Sequence, residues 1–148
     1  MKKIFIFGIV IFITVISIIF IQKSAAKAKT KTITIVNHRF TVETADTDEK
    51  RSQGLSNRDR LGQNEGMLFI FPTPSYYKFW MKDMKFPLDF IWIDKDTIID
   101  LSENVLAPKS TDEKLTTFTA KYPFDRVIEV NAGVIKSLNI KIGDRVLL

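Results

Sequence analysis

Hydrophobic and polar positions fall into two regimes along the chain. From Ile4 to Ile21 nothing alternates: the run is uncharged, built of Ile, Phe and Val, and interrupted only by Gly8, Thr14 and Ser17. As a helix it would be about 27 Å long, close to the roughly 30 Å hydrocarbon thickness of a bilayer. No stripe on it is polar enough to face water. Beyond residue 31 apolar and polar positions alternate in short runs, the period of half-buried strands. Ile33 and Ile35, then Phe40 and Val42, flank Asn37-His38 and predict a hairpin of strands over 32–36 and 39–44. Asp46 followed by Glu49 reads as a capping box for a short helix to Gln53, with Gly54 placed for a left-handed C-terminal cap. Further strands are expected over 66–71, stopped by Pro72 and Pro74, and over 77–81, 88–94, 98–103, 125–130 and 145–148. Asn131 is placed to cap a last helix to Leu138.

The sum is seven to nine short strands and two short helices, a mostly β domain of sandwich or barrel type. Residues 1–23 read as a transmembrane anchor or signal segment, 24–31 as a basic linker, and 32–148 as a single compact domain. Ala107 to Phe124 breaks the rhythm as a long, weakly patterned loop, a form typical of lids and binding loops.

Charge sharpens the division. The chain holds 22 Lys and Arg against 17 Asp and Glu. Six of the lysines precede residue 32, so the domain carries 16 basic against 17 acidic side chains. A near-neutral domain offers no footprint for a phosphate backbone, and no nucleic-acid partner is expected. With no Cys and one His, thiol catalysis, disulfides and Cys- or His-rich metal sites are excluded or nearly so, and no metal or cofactor is expected. Lys2 and Lys3 before the apolar run favour an amino terminus held inside, with the domain extracytoplasmic and tethered by residues 4–21. The alternative is a secretory signal cut after Ala26-Lys27-Ala28, leaving a secreted or periplasmic domain, although the run is longer than a usual signal core.

Candidate chemistry gathers in one segment. Nine of the domain's thirteen aromatic residues lie between Phe69 and Trp92, and among them stand polar groups that a core does not need, including Glu65, Lys82, Asp83 and Asp89. In the strand over 88–94, Asp89 shares a face with Ile91 and Ile93 while Leu88, Phe90 and Trp92 take the other. Both faces are apolar, so Asp89 is expected to be at least partly buried and to need a partner: Lys82, Arg58 or backbone amides of the 84–87 turn. Either a satisfied group fixing the turn or a pocket anchored by Lys82 and Asp89 fits this pattern. His38 reads as a turn residue, and Asp94-x-Asp96 lacks the remaining ligands of a calcium loop.

Several blocks carry a resemblance: Asp46-Thr47 through Gly54-Leu55 to Arg58; Glu65-Gly66-Met67-Leu68-Phe69; Phe79-Trp80-Met81-Lys82-Asp83-Met84 with Pro87-Leu88-Asp89; Glu103-Asn104-Val105; and Val127-Ile128-Glu129-Val130 with Gly133 and Gly143-Asp144-Arg145-Val146. In this order, over essentially all of 32–148, they resemble the family named domain of unknown function 192, also called uncharacterised protein family 0127. The resemblance implies a compact, mostly β, sandwich-like domain, often behind a signal or anchor, and brings no agreed activity or catalytic residue. Asp83 stands where Asn is common and Thr97 where an Asp-x-Asp-Gly turn is common.

The expected role is a small-ligand-binding module. Arg58, Glu65, Trp80, Met81, Lys82, Asp89, Glu103 and Asn104 are its candidate binding residues, around a pocket under the 107–124 loop for a polar or amphipathic ligand. No nucleophile and base pair is visible, so binding is favoured over catalysis and no catalytic residue is assigned. The alternatives are a hydrolase or lyase using a carboxylate from Glu65, Asp89 or Glu103, which a raised pKa in a cleft would betray, and a protein-interaction domain of unknown partner.

Overall fold

The computed structural model describes residues 29–110, 113 and 115–148. The apolar run over 4–21 lies outside them, and no helix among the described residues is long and apolar enough to cross a membrane. The fold is mostly β: strands β1 (Thr30–Ile35), β2 (His38–Ala45), β3 (Glu65–Ser75), β4 (Leu88–Asp94), β5 (Thr97–Val105), β6 (Phe124–Asn131) and β7 (Val146–Leu147), with helices α1 (Asp48–Gln53) and α2 (Val134–Leu138).

All seven strands join one sheet in the order β5-β4-β6-β3-β2-β1-β7. β2 and β3 pair in parallel, reached by a crossover through α1, and the other pairs are antiparallel. The sheet curls until its edges touch, through a bridge between Thr97 and Arg145 and a bond from the Ile98 amide to the Asp144 carbonyl at 2.9 Å. Curling encloses one face. Ile33, Val42, Leu68, Ile91, Ile128 and Val146 pack there with Ile135 of α2. The other face is covered by connections: Leu55, Phe79, Met81 and Met84 close over Met67, Phe69, Phe90, Trp92 and Val127. Every residue of β4 from Leu88 to Ile93 is therefore buried.

Several local expectations are corrected. α1 is capped by Thr47, whose Oγ1 accepts the Lys50 amide at 3.3 Å, while Asp46 instead pairs with Lys50 Nζ at 2.7 Å. Gly54 does end the helix, at φ +50°. Pro72 and Pro74 do not stop β3. Pairing with β2 ends at Phe69, and the register against β6 shifts between Ile70 and Ser75, so the prolines fall where no ladder amide is needed. Residues 77–81 form no strand beyond a bridge between Phe79 and Phe118. Asn131 does not cap α2; its side-chain amide donates to the Leu61 and Gly62 carbonyls at 3.2 and 3.0 Å.

Asp89 supplies what Asn131 does not. It is fully buried on the enclosed face, where its Oδ2 accepts the Ile135 amide of α2 at 2.9 Å and its Oδ1 accepts the Asn104 amide at 2.7 Å. One carboxylate thus ties β4 to the end of β5 and to the first turn of α2. Asp89→Ala is expected to lower stability by about 3 kcal/mol, because the buried Ile135 amide and the part-buried Asn104 amide lose a charged acceptor. Asp89→Asn, which keeps one acceptor oxygen, should lose less. Urea midpoints of the full chain in mild detergent measure both, and an unchanged Asp89→Ala midpoint would mean that the amides find other acceptors.

Candidate functional site

Sheet register decides which polar groups can meet. Glu43 of β2 pairs with Met67, Met67 with Glu129 of β6, and Glu129 with Phe90, so these four stand in one lateral row on the face covered by connections. Asp89 pairs with Val130, one residue on, and points through the opposite face. Gly66 permits close packing behind the row, since a Cβ there would lie 2.7 Å from the Glu129 carbonyl oxygen.

One member of this row, Glu129, lines a cleft of about 260 Å³. The end of α1 and Gly54 to Ser56 form one side, Phe69 and Phe71 a second, Tyr77 to Trp80 a third, with Met84, Leu88 and Glu129 at the bottom. Its rings are tightly organised: Phe71 and Tyr77 stack at 3.8 Å, and Phe69 meets Phe79 edge-on at 5.2 Å. Arg51 lies 5.3 Å over Phe71 and is held by the Ile70 carbonyl at 2.7 Å and by Asp48. Trp80 is 41% exposed at the mouth.

Glu129 is the unusual group. Only 6% exposed, it has no hydrogen-bond partner for its carboxyl among the described residues. Burial pushes its pKa up to about 8, against a weaker opposing pull from Arg58. Arg58 is committed elsewhere, donating to both carboxylate oxygens of Glu43 at 2.5 and 2.8 Å. Those bonds hold Glu43 below its ordinary pKa and raise that of Arg58. At neutral pH the floor of the cleft is therefore a neutral carboxylic acid, able to donate or accept a hydrogen bond and to exchange a proton.

The residues expected from sequence are distributed around the sheet. Trp80 lines this cleft, Met81 a separate hollow of about 450 Å³ lined also by Leu106, Leu115 and Phe118, and Lys82 a third, so three successive residues line three spaces. Arg58 is beside Glu129 electrostatically but belongs to the Glu43 pair. Glu65 is exposed and its Oε2 accepts the Gly62 amide at 2.9 Å. Glu103 and Asn104 are exposed at the end of β5, where the Asn104 backbone serves Asp89. Asp89 touches none of the three spaces, and its partners are the amides of Asn104 and Ile135 rather than Lys82, Arg58 or the 84–87 turn. Asp83 has φ +56°, which Asp and Asn both tolerate, consistent with an Asn-to-Asp exchange there. Glu129 is the residue that sequence reasoning missed. It too is an acid set within an apolar buried run, Val127 to Val130, the signal that singled out Asp89.

No group of three or more His, Cys, Asp or Glu among the described residues is arranged to hold a metal ion. The testable consequence of the site is a pH dependence. Unfolded, Glu129 ionises near its ordinary value of 4.5; folded, it keeps its proton to about 8. The native state binds the extra proton between those values, so the stability contribution present below 4.5 is lost as pH rises to 8 and stays lost above it. Urea midpoints across this range should fall for the wild-type chain, by a few kcal/mol relative to Glu129→Gln. Glu43, with its lowered pKa, acts in the opposite direction at acid pH and in both proteins, so it cancels in the difference. Parallel profiles would show that Glu129 titrates normally.

Comparison with known proteins agrees with this architecture. A solved structure from Novosphingobium aromaticivorans DSM 12444, described as a protein of unknown function, is 30% identical, with a TM-score of 0.73 over 84% of this chain and 89% of its own. Another, described as a proposed transcription regulator from Sinorhizobium meliloti 1021, is 30% identical, with a TM-score of 0.71 over 80% of this chain and 93% of its own. No curated protein matches. The model of domain of unknown function 192 (DUF192, uncharacterized ACR) matches residues 28–148, and the chain belongs to this family.

Proposed function

We propose that the domain is a small-ligand-binding module whose site is the aromatic cleft over Glu129. The observation that carries this reading is a buried acid with no hydrogen-bond partner, at the bottom of a cleft that opens past a half-exposed Trp80. A buried polar group is ordinarily satisfied within the fold, so one left free and facing a space is available to a ligand. The ring walls suit the apolar body of an amphipathic molecule and the carboxyl suits its polar group. Of the expected residues, Trp80 contributes directly, and Arg58 contributes by setting the field at Glu129.

A second reading has its own support. A carboxyl that holds its proton to about pH 8 in a cleft is the signature expected of a general acid, so a hydrolase or lyase role attaches to Glu129 rather than to Glu65, Asp89 or Glu103. Binding is preferred because the other acid that lines the cleft, Asp48, is exposed and already paired with Arg51. A nucleic-acid role of the kind suggested by the Sinorhizobium protein's description has no support in the charge of residues 32–148. The module belongs, in this reading, outside the cytoplasm on a tether formed by residues 4–21, with a secreted or periplasmic form after cleavage as the alternative.

A thermal-shift screen of the full chain in mild detergent, against sugars, peptides, lipid headgroups, amines and nucleotides, tests the binding reading. A ligand at about 100 times its dissociation constant should stabilise the fold by roughly 2.7 kcal/mol. The shift should vanish in Glu129→Gln and weaken in Trp80→Ala. Ligands that shift the wild type and both variants equally would remove the cleft from consideration. The tether has a separate test: carbonate-washed membranes should retain the full chain and lose a chain lacking residues 1–23, whereas release of both would argue for cleavage.

A further inference from the structure

Glu129 lacks a counter-ion because the sheet spends the nearby one. Arg58 reaches the same face but closes a two-pronged pair with Glu43, and on the far side of Glu129 the register brings Phe90. An ionised acid in this position would need a cation from outside the fold. What surrounds the cleft favours one. Its lining includes the rings of Phe69, Phe71, Tyr77, Phe79 and Trp80, whose faces, unlike their edges, attract cations, and the chain itself already lays a guanidinium over one of these rings, Arg51 on Phe71. Arg51 is in turn neutralised by Asp48 and anchored on the Ile70 carbonyl, so its charge is partly spent at the rim.

From this arrangement we infer that the cleft recognises an organic cation, an ammonium group carried on an apolar body, with the ammonium on the Glu129 carboxylate and the apolar part against Trp80 and the Phe71–Tyr77 stack. The inference rests on the ligand-binding reading and names the ligand's chemistry. Binding would proceed with release of one proton: the neutral acid of the free cleft gives its proton to solvent and the carboxylate pairs with the ammonium. The charged and titratable groups around Glu129 are Arg58 with its partner Glu43, Glu65 at the start of β3, Asp48 and Arg51 on α1, and Tyr77 and Lys78 after β3. Glu43 and Arg58 remain paired and charged through the neutral range, since each shifts the other's pKa away from it. Proton release on binding is therefore assigned to Glu129.

Phenethylamine and phenethyl alcohol, alike in their ring and chain, make the test by titration calorimetry on the full chain in detergent. The amine stays protonated through the neutral range, as an alkylammonium of pKa about 10 does. Its affinity should rise roughly 20-fold from about pH 6.5 to about pH 8.5, as the carboxyl titrating at about 8 ionises. At about pH 6.5 binding should release close to one proton, read from the buffer dependence of the heat. Glu129→Gln should abolish the pH dependence and most of the affinity, and Trp80→Ala, at an exposed position, should weaken binding in a chain that still folds. The alcohol should bind weakly and without a rise. Equal binding of amine and alcohol, an amine affinity flat or falling with pH, or undiminished binding by Glu129→Gln would each overturn the inference. If phenethylamine fails while another class from the screen binds and is lost in Glu129→Gln, the cleft remains a ligand site and only the ammonium assignment falls.

Discussion

Curling a seven-stranded sheet until its edges meet leaves neither face of the central strands in water, and that burial constrains every charged residue they carry. β4 and β6, side by side, each hold one buried acid: Asp89 and Glu129. Alternation sends the first into the enclosed face and the second toward the covering connections. On the enclosed side the fold surrounds Asp89 with backbone amides and uses its charge to fasten β5 and α2. On the other side the covering segments bring rings and methionines, and the neighbouring arginine goes to Glu43. The same constraint, met once and left unmet once, separates an acid satisfied within the fold from one that is not.

Much of this fold is legible in the alternation of residues 32–148. The hairpin around Asn37, the buried β4 and the glycine end of α1 follow from period-two patterning and from Asn37 and Gly54, which tolerate positive φ. What is not legible depends on partners distant in sequence. Asn131 has the chemistry of a helix cap and stands before a helix, yet α2 takes its acceptor from Asp89, 46 residues upstream of Ile135, because the sheet brings that carboxylate closer. Pro72 and Pro74 read as terminators only if the ladder is assumed to be continuous; the register shift against β6 removes the assumption.

The site follows the same division. That Asp89 would be buried and need a partner was readable from two apolar faces on one strand. Which partner it takes was not, since Asn104 and Ile135 come from elements whose positions the local pattern does not fix. Glu129 carries the same local signature in Val127 to Val130, but its strand lies outside the aromatic segment that drew attention. Only the parallel pairing of β2 with β3 puts Glu43 within reach of Arg58 and so deprives Glu129 of a counter-ion.

An acid held in this way works against the stability of its own fold. Above its raised pKa the carboxylate must be ionised in a desolvated place, or keep a proton that solvent would otherwise take, and either costs free energy that a Gln of the same shape would not. Asp89 returns its desolvation cost as two charged hydrogen bonds that join three elements. Glu129 returns nothing visible to the fold. Departures from local consistency without structural compensation are characteristic of positions where a protein meets another molecule. The cleft supplies the remaining condition: the uncompensated group is not sealed in the core but faces a space, walled by rings, that opens to solvent beside Trp80.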